Sequence, residues 1–175
     1  MTDTACSVRR LDAVDEKQID ELATVLIDVV EGGAAVGFMM PITHDQALSF
    51  WSRVAEEVAV GKRVLLIAED DAGVCGTVQL ILDLPDNQPH RADLSKMLVH
   101  RRSRRQGLAA ELLRAAEAAA LDSGRTLLVL DAVTDGDAAR LYERLGWVRV
   151  GDIPGYALMP EGGLCDTTYY YRQLS

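Results

Sequence analysis

The feature of this sequence that limits its fold most is the segment 96–110, which reads KMLVHRRSRRQGLAA. An apolar strand leads into a basic turn, and the turn opens a helix. The first backbone N–H groups of a helix lack intrahelical acceptors, and the helix dipole adds roughly half a positive charge there. Gly107 lets a ligand approach the backbone because it has no side chain. The segment therefore predicts a phosphate-binding turn.

The distribution of charge along the chain indicates the same segment. The 175 residues carry a formal net charge of −9, yet Arg101, Arg102, Arg104 and Arg105 stand almost side by side. An acidic chain is a poor general partner for nucleic acids or anionic membranes, and no aromatic residues alternate with these arginines as in many nucleic-acid sites. We therefore expect a local anion site, with no nucleic-acid or membrane partner.

Composition predicts an ordinary folded protein with 49% hydrophobic residues. No apolar run approaches the length of a membrane span, and residues 1–10 lack the apolar core of a signal peptide. We expect one cytoplasmic domain over residues 1–175. Cysteine and histidine are sparse: Cys6, Cys75, Cys165, His44, His90 and His100. Their scattered spacing predicts neither a disulfide framework nor a metal site.

The pattern of apolar residues predicts the order β-α-α-β-β-β-α-β-α-β-β. Helices are predicted over residues 15–31, 44–60, 106–122 and 137–145. Strands are predicted over residues 8–11, 63–69, 74–82, 92–100, 126–130, 147–150 and 167–171. The strand at 126–130 is rich in leucine and is expected to be buried on both faces. This order favours a mixed α/β sheet with one local parallel pair and helices on its faces.

Two motifs resemble those of the Gcn5-related N-acetyltransferases (GNAT). The hexapeptide 104–109, RRQGLA, is similar to the R/Q-x-x-G-x-G/A signature that binds the pyrophosphate of acetyl-CoA in that family. The segment 141–147 is similar to the family's YxxxGF helix, with Trp147 in place of phenylalanine. The resemblance covers nearly the whole chain. It implies the acyl-CoA N-acyltransferase fold, described as α/β or α+β: a mostly antiparallel mixed sheet of about seven strands with a splayed parallel pair.

The resemblance also implies where acetyl-CoA binds as the cosubstrate, without a metal. The backbone of Met97, Leu98 and Val99 would pair with the pantetheine arm. Asp135, where the family often has asparagine, would contact the same arm. The residues implied at the diphosphate are Arg104, Arg105, Gln106, Gly107, Leu108 and Ala109.

The implied reaction is acetyl transfer to the primary amine of a small molecule, by direct attack through a tetrahedral intermediate. Tyr142 is the candidate general acid, because a phenol with a pKa of about 10 is protonated at neutral pH. Asp93 and Asp131 are the alternative candidates for the general base. Each would act through an ordered water molecule.

The acceptor pocket is expected at the loop 33–40, with Gly33 and Phe38 among its residues and Tyr156 as a cover. Asp45, Glu69 or Asp152 could hold a substrate cation, and the sequence does not rank them. Segments 32–39, 90–93 and 150–156 are similar to the tabtoxin-resistance acetyltransferases. This narrower resemblance implies an amino-acid-like acceptor and a role in antibiotic or toxin resistance.

A second function remains open at the level of sequence. The chain could be a non-catalytic acyl-CoA-binding regulatory domain that keeps the phosphate turn and lacks the chemistry. The sequence also leaves open whether the protein is a monomer or a homodimer.

Overall fold

The computed structural model describes residues 6–175, and its core is one sheet of seven strands in the order β1-β2-β3-β4-β5-β7-β6. The strands are β1 Ser7–Leu11, β2 Arg63–Asp70, β3 Gly73–Ile81, β4 Arg91–Val99, β5 Leu127–Val133, β6 Val148–Leu158 and β7 Leu164–Gln173. β4 and β5 run parallel, and every other neighbouring pair is antiparallel. The predicted mixed sheet with a local parallel pair is confirmed.

Four helices accompany the sheet: α1 Glu16–Glu31, α2 His44–Ala59, α3 Leu108–Asp122 and α4 Asp137–Arg144. Asp15 and Thr43 begin α1 and α2 with reciprocal capping boxes. Each cap contributes about 1 kcal/mol to the stability of its helix. In the described part of the chain, no helix combines the length and apolarity that a membrane span requires.

The helices form a layer on each face of the sheet. α1 and α2 cover one face, where Trp51 and Leu26 pack against Ile67 of β2. α3 and α4 cover the other face, where Leu112 packs with Leu80 and other buried residues. The sheet therefore lies between two hydrophobic cores, as its apolar strands require.

A bulge in β4 reverses the face of the sheet on which its alternate side chains lie. Leu94 belongs to the core under α3, whereas Leu98, four residues later, belongs to the core under α1 and α2. In a regular strand these two side chains would share a face. Lys96 lies between them with a left-handed φ of 50°, and the pairing with β3 shifts register between Thr77 and Gln79. One extra residue in β4 thus turns the second half of the strand over.

β4 and β5 separate soon after they meet. In the described residues their pairing runs only from Arg91–Asp93 to Leu127–Val129, after which β5 continues with β7. The two strands therefore splay apart and leave a cleft open between them. The expected burial of 126–130 on both faces is wrong: Leu128 is buried, but Val129 is partly exposed, since α1 and α2 pack over β2, β3 and β4 rather than β5.

β6 and β7 are longer than the predicted strands at 147–150 and 167–171. β6 continues to Leu158 through Pro154, so Tyr156 lies on a strand rather than in a covering loop. The pairing shifts register between Ile153 and Ala157, and β6 is at the edge of the sheet. An edge strand tolerates proline because its outer N–H groups need no partner.

Candidate active site

The predicted phosphate-binding turn lies at the start of α3. Gly107 occupies the N-cap position with φ 80° and has no capping side chain, and Arg105 is also left-handed with φ 61°. α3 begins at Leu108, two residues after the predicted start, because the left-handed Gly107 cannot continue a helix. In the described structure, the six backbone N–H groups from 105 to 110 donate to no protein acceptor.

Two of the four clustered arginines are held by carboxylates of the protein. Arg101 binds the buried Asp28 through its backbone N–H (2.9 Å) and its guanidinium. Arg102 binds Asp70 with Nε at 3.1 Å and also donates to the backbone carbonyls of Gly73 and Val74. These two arginines therefore fasten the turn to the body of the protein.

The other two arginines are exposed beside the free amides. Arg104 donates from Nε to the carbonyl of Val99 at 3.1 Å. Arg105 has no hydrogen bond or ion pair with any described residue. Both lie close enough to α4 to lower the pKa of Asp137, although the hydrogen bond from Arg140 lowers it more. Unpaired amides, a left-handed glycine and exposed guanidinium groups together fit a diphosphate.

The β4 residues predicted to pair with pantetheine line the opening between the strands. Leu98 is buried, while Met97 and Val99 are partly buried toward α3. Their strand edge faces β5 without pairing to it. Asp135 lies across the cleft, exposed and left-handed (φ 59°) before α4, and its carbonyl accepts a hydrogen bond from Arg140. Its contact with the pantetheine arm stays a prediction.

Tyr142 lies on α4 with its ring between those of Trp147 and Tyr170, at centroid distances of 5.7 and 6.0 Å. The residue is 4% exposed. Burial raises the pKa of its phenol well above the usual value, and the charge of Asp131 raises it further. The phenol is therefore protonated at neutral pH, as a general acid must be.

The two candidate bases differ in their partners. Asp93 forms an ion pair with Arg91, which also donates to Gln88 at 2.9 Å. Asp131 is exposed in the second half of β5 and accepts a hydrogen bond from Thr167 Oγ1 at 3.1 Å. No cation pairs with Asp131 in the described residues, whereas the carboxylate of Asp93 is bound by Arg91.

Tyr156 contacts Tyr169, a residue near Asp131 that the sequence analysis did not single out. The hydroxyl groups of Tyr156 and Tyr169 are 3.0 Å apart, and Tyr169 stands opposite Asp131 in the β5–β7 register. The hydrogen bond with Tyr156, burial and the charge of Asp131 raise the pKa of Tyr169 to about 12. The phenol of Tyr169 is therefore protonated at neutral pH beside the carboxylate of Asp131, and Tyr156 is bonded to that phenol.

The loop between α1 and α2 borders the cleft from the other side. Phe38 makes an edge contact with Phe50 of α2 at a centroid distance of 5.4 Å. Gly33 lies at the start of the loop, just after α1. A Cβ on its neighbour Gly32 would lie 3.6 Å from the guanidinium of Arg104. Phe38 therefore lies nearer the end of the cleft where the amine is expected, called the acceptor side below, and Gly33 lies nearer the phosphate turn.

A backbone hydrogen bond closes this end of the cleft. The N–H of Met40 donates to the carbonyl of Pro160 at 2.9 Å, which joins the α1–α2 loop to the β6–β7 hairpin. Pro160 is buried, although it lies in a turn.

The three acidic residues left unranked for a substrate cation do not meet at the site. Glu69 pairs with Arg9 across β1 and β2 at 2.8 Å. Asp152 pairs with Arg149 and accepts from Thr168 at 2.7 Å. Asp45 is exposed in the first turn of α2.

Two of the cysteines are less scattered than the sequence suggested. Cys75 donates a hydrogen bond to Cys6 with a sulfur–sulfur distance of 3.4 Å, and Asp70 lies beside them. Burial raises the pKa of Cys75 to about 12, which disfavours a metal-binding thiolate. The Asp70 carboxylate already holds Arg102. This group therefore has little of the charge that a metal ion needs.

Sequence reasoning missed three residues of the cleft: Lys96, Tyr169 and Pro160. Lys96 carried a signal, because it follows Ser95 directly and so interrupts the alternation of polar and apolar residues in this strand. The run of tyrosines at 169–171 was a second signal, since alternate residues of a strand share a face. Pro160 carried none, because its role depends on a contact with a loop 120 residues earlier.

Known proteins share both the sequence and the architecture. A family model described as "Acetyltransferase (GNAT) domain" matches residues 61–149. An uncharacterized N-acetyltransferase of the hisH–hisA intergenic region of Azospirillum brasilense is 30% identical over 133 residues, which are 75% of this chain and 76% of that protein.

Solved structures extend the likeness to nearly the whole chain. yncA of Salmonella typhimurium, assigned as an acetyltransferase and solved with its cofactor acetyl-CoA, matches with a TM-score of 0.79 and 20% identity, over 98% of this chain and 95% of that chain. A GCN5-related N-acetyltransferase from Kribbella flavida matches with a TM-score of 0.78 and 22% identity, over 97% and 98%.

At these low identities the two structures show the shared fold, and the family model and the Azospirillum relative show the family. The family's activity favours an enzyme over a non-catalytic acyl-CoA sensor. The free amides of the phosphate turn lie where β4 ends, beside the gap between the splayed strands. The chain belongs to the GNAT family of acetyltransferases.

Proposed function

We propose that this enzyme acetylates the primary amine of a small molecule by direct attack of the amine on the thioester of acetyl-CoA. The observation that carries this proposal is the hydrogen bond between Met40 and Pro160, which joins two loops across the acceptor side of the cleft. An extended peptide would need that side open along its length. A small amine needs only a short passage.

The amine must lose a proton before it can attack, because an alkyl ammonium of pKa about 10.4 has no lone pair to donate. Asp131 is the general base in this proposal, acting through a water molecule. Its carboxylate is exposed to the cleft and is held by Thr167, not neutralised by a cation. Asp93 remains the alternative base, but Arg91 already binds its carboxylate.

One wall of the cleft stabilises the oxyanion, and the opposite wall protonates the thiolate. A backbone N–H of Leu98 or Val99 polarises the thioester carbonyl and stabilises the oxyanion that forms on attack. Tyr142 then donates its phenolic proton as the C–S bond breaks, and CoA leaves as the thiol. The attacking nitrogen loses its extra proton as the amide forms, and that proton restores the phenol. The raised pKa of Tyr142 keeps that proton in place until the thiolate develops.

The narrower resemblance to the tabtoxin-resistance enzymes belongs to this proposal. Its three segments lie in the α1–α2 loop (32–39), at the start of β4 (90–93) and on β6 (150–156). The resemblance of these segments supports an amino-acid-like acceptor, because the enzymes that share them acetylate an amino-acid-like toxin. Acetylation of a tabtoxin-derived β-lactam amino acid is the corresponding activity to test.

A homodimer is also part of the proposal. β6 is an edge strand and presents exposed apolar side chains. They are Val148, Val150, Ile153 and Leu158. An apolar edge with unpaired backbone groups favours pairing with the same edge of a second copy about a two-fold axis. Light scattering should give twice the chain mass, and Val150→Lys should give the monomer.

Turnover measurements test the proposed activity directly. Release of free CoA thiol from acetyl-CoA is followed with amino acids, polyamines, aminoglycosides, dipeptides and an alanine-terminated peptide as acceptors. We expect turnover with a small amine and a much lower kcat for Tyr142→Phe. Turnover with the peptide alone would contradict the small-molecule acceptor. Failure with every amine, although CoA raises the melting temperature, would contradict amine acetylation itself.

A further inference from the structure

The β4 bulge directs Lys96 toward the acceptor side of the cleft. Its Nζ is 5.6 Å from the ring centroid of Phe50, whose edge contact with Phe38 forms part of the cleft wall. A Cβ on Gly37 would lie 3.6 Å from the same nitrogen. The ammonium therefore lies between α2 and the α1–α2 loop.

This ammonium has no internal counter-ion. Within residues 6–175, no carboxylate or hydrogen-bond acceptor lies within bonding distance of Nζ. Burial lowers the pKa of Lys96, the nearby charge of Arg63 lowers it further, and Asp131 partly offsets both. Lysine is rarely buried in proteins unless it is paired. Arg63 differs, because Glu57 binds its Nε at 2.6 Å.

A second unsatisfied donor lies on the same side of the sheet. Gln79 of β3 stands opposite Ser95, the residue before Lys96. Its side-chain oxygen accepts a hydrogen bond from Arg63, while its amide nitrogen is buried without an acceptor. A buried donor without an acceptor costs free energy in a folded protein. Lys96 and Gln79 thus both favour an acceptor that no described residue supplies.

We propose that Lys96 binds the carboxylate, or another oxyanion, of the acceptor, so that the enzyme selects amines that also carry a negative charge. This inference rests on the proposed function. Asp131 on β5 attracts the amine, and Lys96 on β4 attracts the anion. The cleft is therefore complementary to a zwitterion such as an α-amino acid, with an amine and an oxyanion close together.

A structural role for the lysine has a different consequence. If Lys96 served only to pack its ammonium on Phe50, its loss would lower stability and leave the choice of acceptor unchanged. Lys96→Met retains an unbranched side chain at the left-handed position and removes the charge. Lys96→Arg retains the charge. Lys62→Met is the matched control, because Lys62 is exposed and pairs only with Asp83.

The test compares each common α-amino acid with its α-carboxamide, which has nearly the same shape and no negative charge. We expect the ratio of kcat/KM for acid over amide to fall about ten- to a hundredfold in Lys96→Met, as for loss of a hydrogen bond to a charged group. The ratio should recover in Lys96→Arg and stay at the wild-type value in Lys62→Met. CoA binding reports that each variant is folded.

A binding measurement keeps this inference separate from the proposed activity. N-acetyl amino acids and their amides are titrated calorimetrically into the wild-type and Lys96→Met proteins in the presence of CoA. Weaker binding of the acids, and not of the amides, to Lys96→Met supports the anion site even if no amine is turned over. Equal effects on acids and amides, in turnover or in binding, would overturn it.

Discussion

Two alanine substitutions test whether some arginines of the cluster bind phosphate while others stabilise the fold. Arg105→Ala removes an exposed guanidinium that no described residue binds, so unfolding free energy should change by less than about 0.5 kcal/mol. A charge-assisted hydrogen bond to phosphate is worth about 1.5–3 kcal/mol, and solvent at the turn favours the lower value. We therefore expect roughly a tenfold loss of affinity for CoA.

Arg102→Ala is the matched control. It removes two hydrogen bonds to Asp70 and two to backbone carbonyls, all internal to the protein. We expect a loss of about 1–3 kcal/mol of stability, or roughly 2–12 °C in melting temperature for a chain of this size. Its loss of CoA affinity should be smaller than that of Arg105→Ala.

Calorimetric titration with CoA and thermal unfolding measure both quantities. S-acetylpantetheine, which has no diphosphate, adds a third measurement, because Arg105→Ala should not change its kcat/KM. Wild-type CoA affinity in Arg105→Ala would refute this role for the residue. An equal loss with S-acetylpantetheine would show that the substitution acts on something other than a diphosphate contact.

Three further predictions concern chemistry, packing and charge. Tyr142→Phe should lower kcat by about 10²–10⁴-fold and leave CoA affinity within a few-fold, as measured by stopped-flow turnover and titration; an unchanged kcat would exclude the phenol as the acid. Leu112→Ala empties a fully buried site and should cost about 2–5 kcal/mol, roughly 4–20 °C in melting temperature, whereas a smaller loss would mean that the core collapses around the cavity. Arg102 lowers the pKa of Asp70 in the folded state, so this carboxylate contributes stability above the unfolded pKa of about 3.9 that is lost as pH falls below it. Urea unfolding between about pH 5 and pH 2 should therefore show a steeper loss for wild type than for Asp70→Asn, and parallel curves would contradict that contribution.

The parts of the structure that depend on neighbouring residues could be predicted from the sequence. The phosphate turn is one of them, because a strand, a basic turn and Gly107 follow one another directly. The two N-terminal helices are others, since their apolar spacing and their capping residues are local. The sequence order of strands and helices then limits the sheet to few arrangements.

The acceptor side was less predictable because it depends on register. One residue inserted at Lys96 decides which face receives the second half of β4, and a lysine in the strand does not by itself reveal that insertion. Cys6 and Cys75 are 69 positions apart and meet only because β1, β2 and β3 pair in one particular alignment. The strand predicted at 147–150 stopped short of Tyr156, whereas β6 continues past Pro154 because an edge strand tolerates proline.

The bulge divides β4 into two halves that have different neighbours. Upstream of the insertion β4 pairs with β5, and downstream it leaves β5 and runs along the cleft, where the proposed function places the thioester. The inserted position itself contributes only its side chain, on the face away from the phosphate turn. Exchanging that one side chain is accordingly the simplest way to re-engineer which amines are accepted while the donor machinery is kept intact.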